Sequence, residues 1–212
     1  TEVNKGEIPV YLEQRNIKNF CGWTIGGKFD VIFDGQLQDY KSTSTYTYIN
    51  QSKNEDYSIQ GSIYRWLNQD KITDDVMLIN FYFTNWTKAD LEQHGIPRTM
   101  GMSIPLKSIQ ETEQWIKNKL DEISANMSLP EPKIKECTPE ELWMTPTVYK
   151  YYSNPEKTDG RATKNFESLY EANMFLQEKG KGVVVTVPGV AKACKFCPAF
   201  EICTQKDKLN HD

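Results

Sequence analysis

The stretch GGKFDVIFDGQLQDYKST, residues 26–43, decides the fold because it places a two-residue turn between two segments that alternate in polarity. An Asp-Gly pair in such a setting, here Asp34-Gly35, is a strong signal for a tight β-hairpin. With the turn centred on this pair, Asp30 lies opposite Asp39. Like charges directly opposite each other, with Cβ atoms about 4.5–5.5 Å apart, destabilise a sheet. The hairpin therefore predicts a place where something must offset this repulsion.

A lysine belongs to the same patch. Lys41 follows Asp39 by two residues, so the period of a strand puts both on one face. A divalent cation between Asp30 and Asp39 would remove the repulsion, since hard cations such as Mg²⁺ prefer oxygen ligands. The lysine could then orient a water or stabilise negative charge on a phosphate. The alternative is a solvated hairpin face with a chance Asp-x-Lys tripeptide.

Gly27-Lys28-Phe29-Asp30 followed by Asp39-Tyr40-Lys41 resembles the nuclease signature of the PD-(D/E)XK superfamily. The most similar branch is the RecB-like group, which includes CRISPR-associated nucleases with an iron–sulfur cluster and many phage-encoded exonucleases. The resemblance implies that Asp30 and Asp39 hold Mg²⁺ or Mn²⁺ together with the backbone carbonyl of Tyr40. It also implies that Asp30, Asp39 and Lys41 are the catalytic residues.

The same branch carries a Gln-x-x-x-Tyr motif on the helix after the catalytic strand. This sequence has QGSIY at residues 60–64, and the i, i+4 spacing stacks Gln60 and Tyr64 on one helix face. The resemblance implies that both side chains contact DNA near the metal; alone, they would be ordinary helix-surface residues. A separate apolar stripe is formed by Ile59, Ile63, Trp66 and Leu67.

Three cysteines crowd together in ACKFCPAFEIC, which gives Cys194, Cys197 and Cys203 the spacing found in the iron–sulfur members of that branch. Thiolates ligate iron–sulfur clusters and zinc alike, so a [4Fe-4S] cluster is expected and Zn²⁺ is the alternative. The fourth ligand is Cys137 or Cys21. A cysteine before a Glu-rich segment and a tryptophan, as in ECTPEELW at 136–143, recurs in similar phage nucleases and favours Cys137.

The residues around these cysteines add further expectations. Phe196, Pro198 and Phe200 are expected to wall the metal from solvent, and the polar tail at 204–212 is expected to fray. The structural alternative is a set of buried free thiols, since unligated cysteine is a common core residue.

The composition fits a soluble globular protein, with 212 residues, 38% hydrophobic residues and a net charge of −4. No run approaches the roughly 18 apolar residues of a membrane span, and no secretory signal pattern is present. These features predict a cytoplasmic location, and the resemblance to phage nucleases implies a bacterial host cell. The chain begins at Thr1 rather than at a methionine, so we also expect residues upstream of it.

The expected fold class is α/β (α+β), with a central mixed β-sheet flanked by helices, a restriction-endonuclease-like core and a C-terminal cysteine metal module. A single nuclease domain is expected over 1–212, with a catalytic core at 1–130 and an extension carrying the cysteines at 131–212. Hydrophobic periodicity predicts the elements. Strands are predicted at 8–20, 22–33, 36–46, 75–86 and 182–189, and helices at 55–68, 108–127 and 167–178. The residues of the second helix predicted to face inward are Ile109, Trp115, Ile116, Leu120 and Ile123.

The function predicted from these features is that of a metal-dependent deoxyribonuclease, an exonuclease of phage or bacterial DNA recombination, repair or replication. Its partners would be DNA and a recombination or replication protein. One departure from the family pattern is that related enzymes carry a histidine or an acidic residue on a helix before the hairpin, for which Glu13 is the best substitute. The alternatives are a catalytically incomplete nuclease-fold module that binds DNA or protein, and a redox or regulatory iron–sulfur protein.

Overall fold

A computed structural model describes Gly6 and residues 8–211 of the chain, which divide into two compact units, Thr1–Ala125 and Asn126–Asp212. Residues 1–5, 7 and 212 of the predicted domain lie outside this description. The strands of the first unit are β1 (Val10–Leu12), β2 (Arg15–Phe20), β3 (Trp23–Lys28), β4 (Val31–Phe33), β5 (Gln36–Thr43), β6 (Val76–Phe83) and β7 (Thr99–Pro105). Its helices are α1 (Thr45–Asn50), α2 (Asn54–Leu67), α3 (Lys88–His94) and α4 (Ile109–Asn126).

The first unit is built on a five-stranded sheet in the order β1-β4-β5-β6-β7. The β5–β6 pair is parallel, with α1 and α2 in the connection, and the other pairs are antiparallel. A mixed sheet flanked by helices was predicted, and this coarse architecture is confirmed. The strands β2 and β3 form a separate two-stranded sheet.

The hairpin at Asp34-Gly35 has the predicted register, with Val31 opposite Gln38. Both turn residues have positive φ, 48° and 82°, as a type I′ turn requires. The paired part of β4 begins at Val31, so Asp30 lies one residue beyond the ladder. The opposed aspartates are therefore at the open end of the hairpin.

The core of the first unit lies on the face of the sheet that carries Asp39. The buried side chains on this side include Phe29, Ile32, Leu37, Ile79, Phe81 and Phe83. Helix α2 packs against β2, β3 and β7, and its apolar stripe joins α4 in a second cluster around Trp66, Ile116 and Leu120. Ile123, which was predicted to face inward, is exposed because it lies in the last turns of α4, beyond this cluster.

Several predicted elements differ in extent. The predicted strand at 8–20 is broken at Glu13, where φ is +50°, and the one at 22–33 is divided because the chain passes from β3 to a different sheet. The returning strand ends at Thr43 rather than 46, since Ser44 caps α1 by accepting a hydrogen bond from the Thr47 N–H. Helices α1 and α3 and strand β7 were not predicted.

The second unit contains β8 (Val148–Tyr152), β9 (Lys164–Phe166), α5 (Leu169–Lys179) and β10 (Val183–Val187). Its sheet has the order β10-β8-β9 and packs against α5. Short 3₁₀ helices follow at Lys192–Phe196, Phe200–Ile202 and Gln205–Lys208. None of the helices in the described part of the chain has the length and apolar character needed to cross a bilayer.

Candidate functional site

The two aspartates of the hairpin lie near each other where β5 extends past the end of β4. Asp39 lies on the core face of this strand and is 3% exposed. Asp30 is half-buried, and its Oδ2 accepts a hydrogen bond of 3.0 Å from the backbone N–H of Tyr40. The Asp30 carboxylate is thus held against the strand that carries Asp39.

Lys41 connects Asp39 to helix α2. Its Nζ lies 2.9 Å from Oδ2 of Asp39 and donates a hydrogen bond of 3.0 Å to Oε1 of Gln60. The Gln60 amide in turn donates to the Tyr64 hydroxyl at 3.0 Å. The structure therefore brings Asp39, Lys41, Gln60 and Tyr64, all singled out in the sequence, into one chain of polar contacts.

The electrostatics of Asp39 are dominated by its burial. Burial raises the pKa of this carboxyl; the hydrogen bond and the charge of Lys41 act in the opposite direction, and the charge of Asp30 adds to the increase. Oδ2 of Asp39 is buried, and among the described residues its neighbouring donor is the Lys41 ammonium at 2.9 Å. The pKa of Asp39 stays raised in spite of this lysine, so a buried carboxylate beside a second carboxylate is an environment that a bound cation would stabilise.

The backbone of Tyr40 faces the same edge. In an extended strand, the N–H and C=O of one residue point to the same side, because a hydrogen-bonded pair exchanges both groups. The Tyr40 N–H points to Asp30. Within the described residues, β5 has no ladder partner on this side beyond Gln38, since its pairing with β4 ends there. The Tyr40 carbonyl is therefore oriented towards the edge where Asp30 lies.

Glu13, the proposed substitute for an upstream ligand, lies in the turn between β1 and β2. Its backbone N–H donates to the Asp30 carbonyl at 2.8 Å, but its exposed carboxylate pairs with Lys28 at 2.7 Å. The hydrogen bond and charge of Lys28 lower the Glu13 pKa. Its backbone thus supports Asp30, while its side chain is engaged elsewhere.

Two further residues shape the site and were not assigned this role from the sequence. A Cβ on Gly27 would lie 2.8 Å from Cε1 of Tyr64, so this glycine makes room for the tyrosine ring. Tyr57 places its ring 5.6 Å from Nζ of Lys41, and burial raises its pKa. In the sequence, the position of Tyr57 one helical turn before Gln60 was the signal that could have placed it at the site. Tyr64 itself is half-buried against the core rather than fully exposed.

The four predicted cysteine ligands all lie in the second unit, whereas Cys21 occupies the β2–β3 turn of the first. Cys194 is buried beside Leu142 and Ala191, and with Cys197 it lines a cavity of about 350 Å³ that Pro198 and Phe200 also border. Phe196 was expected to shield the site from solvent, but it is 69% exposed. Its ring centroid lies 6.1 Å from that of Trp143.

Cys137 is held near the other three cysteines by backbone contacts. The Gln205 side chain accepts a hydrogen bond from the Cys137 N–H and donates one to its C=O, both at 2.9 Å. Although Cys137 is exposed as a residue, desolvation of its thiol raises the pKa, as do Glu141 and the thiols of the cysteines at 203, 197 and 194. The Cys137 thiol is thus within electrostatic range of the other three.

The region around Cys137 and the C-terminal segment are joined by two more contacts. The backbone N–H and the hydroxyl of Thr204 both donate to the Glu131 carboxylate at 2.8 Å, and Lys208 pairs with Glu136. We call these contacts, together with those of Gln205, the strap. Because of the strap, residues 204–211 are ordered, and the prediction that this tail frays is wrong.

Neither group of residues is a ready metal site by geometry alone. In the range that the structure describes, no three His, Cys, Asp or Glu side chains converge to hold an ion. The donor chemistry nevertheless fits: oxygen donors at Asp30, Asp39 and the Tyr40 carbonyl suit a hard cation, and thiols suit iron or zinc.

The comparisons with known proteins give little further information. No family model and no curated protein matches the chain. A solved structure described as "Crystal structure of SSO0001" is similar over 53% of this chain, with 13% sequence identity and a TM-score of 0.36. The match spans about half of that chain, 49% of its length. At this level the likeness carries no argument about fold or function.

Proposed function

We propose that the chain is a metal-dependent DNA nuclease with the restriction-endonuclease-like core of the PD-(D/E)XK superfamily. The observation that carries the proposal is the Asp39 carboxylate, which is buried beside Asp30 and has a raised pKa although the Lys41 ammonium lies 2.9 Å from its Oδ2. A purely structural residue in this place would be better replaced by an apolar one, since an ionised carboxylate is costly to bury.

The ion that fits the oxygen donors is Mg²⁺ or Mn²⁺, held by Asp30, Asp39 and the Tyr40 carbonyl. When bound, it supplies Lewis-acid polarisation of the scissile phosphate and lowers the pKa of an attacking water. Asp39 would be the buried ligand of such an ion, and Asp30, whose carboxylate accepts a hydrogen bond from the Tyr40 N–H, would be the second one.

Lys41 provides the positive charge at the reacting phosphate. Its contacts with Asp39 and Gln60 hold the ammonium in place. The lysine side chain therefore loses little conformational entropy when the phosphate binds. Gln60 and Tyr64 act as positioning residues for Lys41, and their remaining polar capacity is available to a DNA strand. The biological setting that suits the activity is phage or bacterial DNA recombination, repair or replication in the cytoplasm.

The cysteines form a separate centre in the same proposal. Cys137, Cys194, Cys197 and Cys203 would hold a [4Fe-4S] cluster, with Zn²⁺ as the alternative. Such a centre would hold the loops of the second unit together, because these loops bury little apolar surface of their own. The strap and the cavity beside Cys194 support this assignment.

One observation favours a second candidate, a catalytically incomplete nuclease-fold module that binds DNA or protein. Two carboxylates, rather than three acidic or histidine side chains, meet at the hairpin, and Glu13 is engaged with Lys28. This candidate predicts DNA binding without cleavage.

An assay on DNA separates the two candidates. End-labelled linear DNA and closed circular DNA are incubated with Mg²⁺, Mn²⁺ or EDTA, and the products are resolved on denaturing gels. We expect cleavage with either metal, none with EDTA, and none from Asp39→Ala. Binding without cleavage by the wild-type protein would decide for the module, and wild-type cleavage by Asp39→Ala would remove the site assignment.

A further inference from the structure

The face of the sheet opposite to Asp39 carries exposed tyrosines. Side chains alternate along a strand, so Tyr40 and Ser42 point away from the side of Asp39 and Lys41. Tyr40 is 57% exposed, and Tyr82 on the neighbouring strand β6 is 45% exposed. Two large aromatic side chains on neighbouring strands of one face form an exposed surface that a planar ligand can cover.

These tyrosines border a cleft of about 480 Å³, to which Ser42, Asn80 and Thr99 also contribute. We call it the tyrosine cleft. Its lining combines two rings with hydroxyl and amide groups, and none of the described residues that line it is acidic. The guanidinium of Arg98 lies 5.1 Å from the Tyr82 ring and adds a positive charge at the rim. The chemistry is suited to a flat, partly polar group attached to an anion.

The distance between the Cβ atoms of Tyr40 and Tyr82 leaves room for one planar group between the two side chains. In the parallel register, Tyr40 faces Asn80 and Ser42 faces Tyr82, so the tyrosines are diagonal neighbours two residues apart. Strands lie about 4.8 Å apart and rise about 3.3 Å per residue, which puts the two Cβ atoms roughly 8 Å apart. Two van der Waals contacts of about 3.5 Å require a gap of about 7 Å. The separation of the two Cβ atoms is therefore compatible with one planar group between the two side chains.

We propose that the tyrosine cleft stacks a base of single-stranded DNA, which makes a single strand the substrate class of the proposed nuclease. The inference rests on the proposed function. A base in a duplex is already paired and stacked, whereas an unpaired base has two free faces that aromatic side chains can cover. Asn80 supplies an amide for the base edge, and Arg98 lies at the rim for the backbone phosphate.

The cleft is continuous with the candidate active site through Tyr40. This residue directs its side chain into the cleft and its backbone N–H to Asp30. In the part of the chain that the structure describes, β5 has no ladder partner on the β4 side beyond Gln38. A strand that crosses this edge brings one phosphate to Asp30 and Asp39 while a neighbouring base occupies the cleft. A duplex, which is much wider, would not place a base there without opening.

The test measures binding rather than cleavage. In buffer with EDTA, fluorescence anisotropy gives the affinity of each variant for a short labelled oligothymidine and for a duplex of the same length. We expect Tyr82→Ala and Tyr82→Leu to bind the single strand roughly 5- to 150-fold more weakly, which corresponds to about 1–3 kcal/mol. Tyr82→Phe should bind like the wild type because it keeps the ring. Duplex binding should change little.

Tyr46→Ala is the matched control, because Tyr46 is exposed on α1 of the same unit and is not part of the cleft. Melting curves establish that the variants are folded, and Tyr82→Leu keeps an apolar side chain on the strand if the alanine variant is unstable. Unchanged single-strand binding by both Tyr82 variants would overturn the inference, as would an equal loss for the duplex.

Failure of the inference is distinguishable from failure of the proposed function. A wild-type protein that cuts DNA with Mn²⁺ while Tyr82→Ala keeps its single-strand affinity leaves the nuclease proposal standing and removes the cleft. A wild-type protein that binds the single strand through Tyr82 but never cuts removes the nuclease activity and keeps the cleft as a binding site. A wild-type protein that does neither overturns both.

Discussion

At the scale of single residues, Asp39 shows what the sequence could and could not predict. The approach of Asp30 to Asp39 is local, since a two-residue turn sets the register up to Val31 and Gln38, and it could be read from Asp34-Gly35. The burial of Asp39 could not, because it depends on long-range packing, such as that of Tyr57 and Tyr64 of α2 against the core. The contact between Lys41 and Gln60 likewise joins residues 19 apart in the chain and arises from packing.

The raised pKa of Asp39 predicts how stability depends on pH. The ionised form is the disfavoured one in the metal-free fold, so Asp39 contributes most to stability below the ordinary aspartate pKa and loses this contribution as pH rises through its raised folded value. We expect Asp39→Asn to have a higher Tm than the wild type at neutral pH in EDTA, with the difference vanishing at a pH below about 4.

Adding Mn²⁺ to the same samples provides a second readout. The wild type should gain about 2.7 kcal/mol at a metal concentration one hundred times the Kd, and Asp39→Asn should gain much less. Calorimetric scans across pH, with and without metal, measure both effects. A variant that is less stable than the wild type by the same amount at every pH would contradict the assignment of burial as the main cause.

At the scale of elements, the long periodic segments were predicted well and the short ones were missed. Helices α2 and α4 and strand β6 have hydrophobic patterns long enough to show their period, and the structure places them close to the predicted bounds. Strand β7 was missed because it contains glycine and proline and is paired on one side only. The pairing of β7 with β6 is a long-range contact that the residues of β7 do not reveal.

The packing of α2 on β3 depends on one missing side chain. A Cβ on Gly27 would lie 2.8 Å from Cε1 of Tyr64 and 3.1 Å from Cδ1 of Leu67. We expect Gly27→Ala to destabilise the protein by about 1–3 kcal/mol through overpacking and to slow cleavage, because the Tyr64 hydroxyl moves away from Gln60. Denaturant unfolding and the cleavage rate measure the two effects.

Gly26→Ala is the matched control on the same strand. Its Cβ would meet nothing closer than 3.4 Å, so both stability and cleavage should stay near the wild-type values. Equal behaviour of the two alanine variants would show that the close approach of Tyr64 to β3 does not position Gln60.

At the scale of the whole chain, the sequence predicted an N-terminal core followed by a cysteine-bearing extension, and the contacts divide the structure after Ala125. The cysteine spacing within 194–203 is a local signal that could be read directly. The choice of Cys137 over Cys21 was suggested by resemblance, and the strap now adds a physical reason, since Gln205 lies two residues after Cys203 and holds the Cys137 peptide.

The metal content of cysteine variants tests this arrangement. We expect anaerobically purified wild-type protein to be brown and to carry iron and sulfide in near-equal amounts. Cys137→Ser should lose most of the metal, while Cys21→Ser should keep it. Metal analysis and the visible spectrum give the result. Colourless protein with one zinc would keep the ligand set and change the metal, and full metal content in Cys137→Ser with loss in Cys21→Ser would reverse the choice of ligand.

The strap also has a consequence for the chain as it is synthesised. Cys137 and Gln205 are 68 residues apart, and translation proceeds at about 5–20 residues per second. Cys137 therefore leaves the ribosome roughly 3–14 s before the side chain that fixes its backbone. During most of this interval the other three cysteines have not been synthesised, and the Cys137 backbone lacks the Gln205 side chain that holds it. The second unit can take this arrangement only after residues 204–208 have emerged, so a ribosome stalled before that segment would carry a unit in which Cys137 lacks the strap.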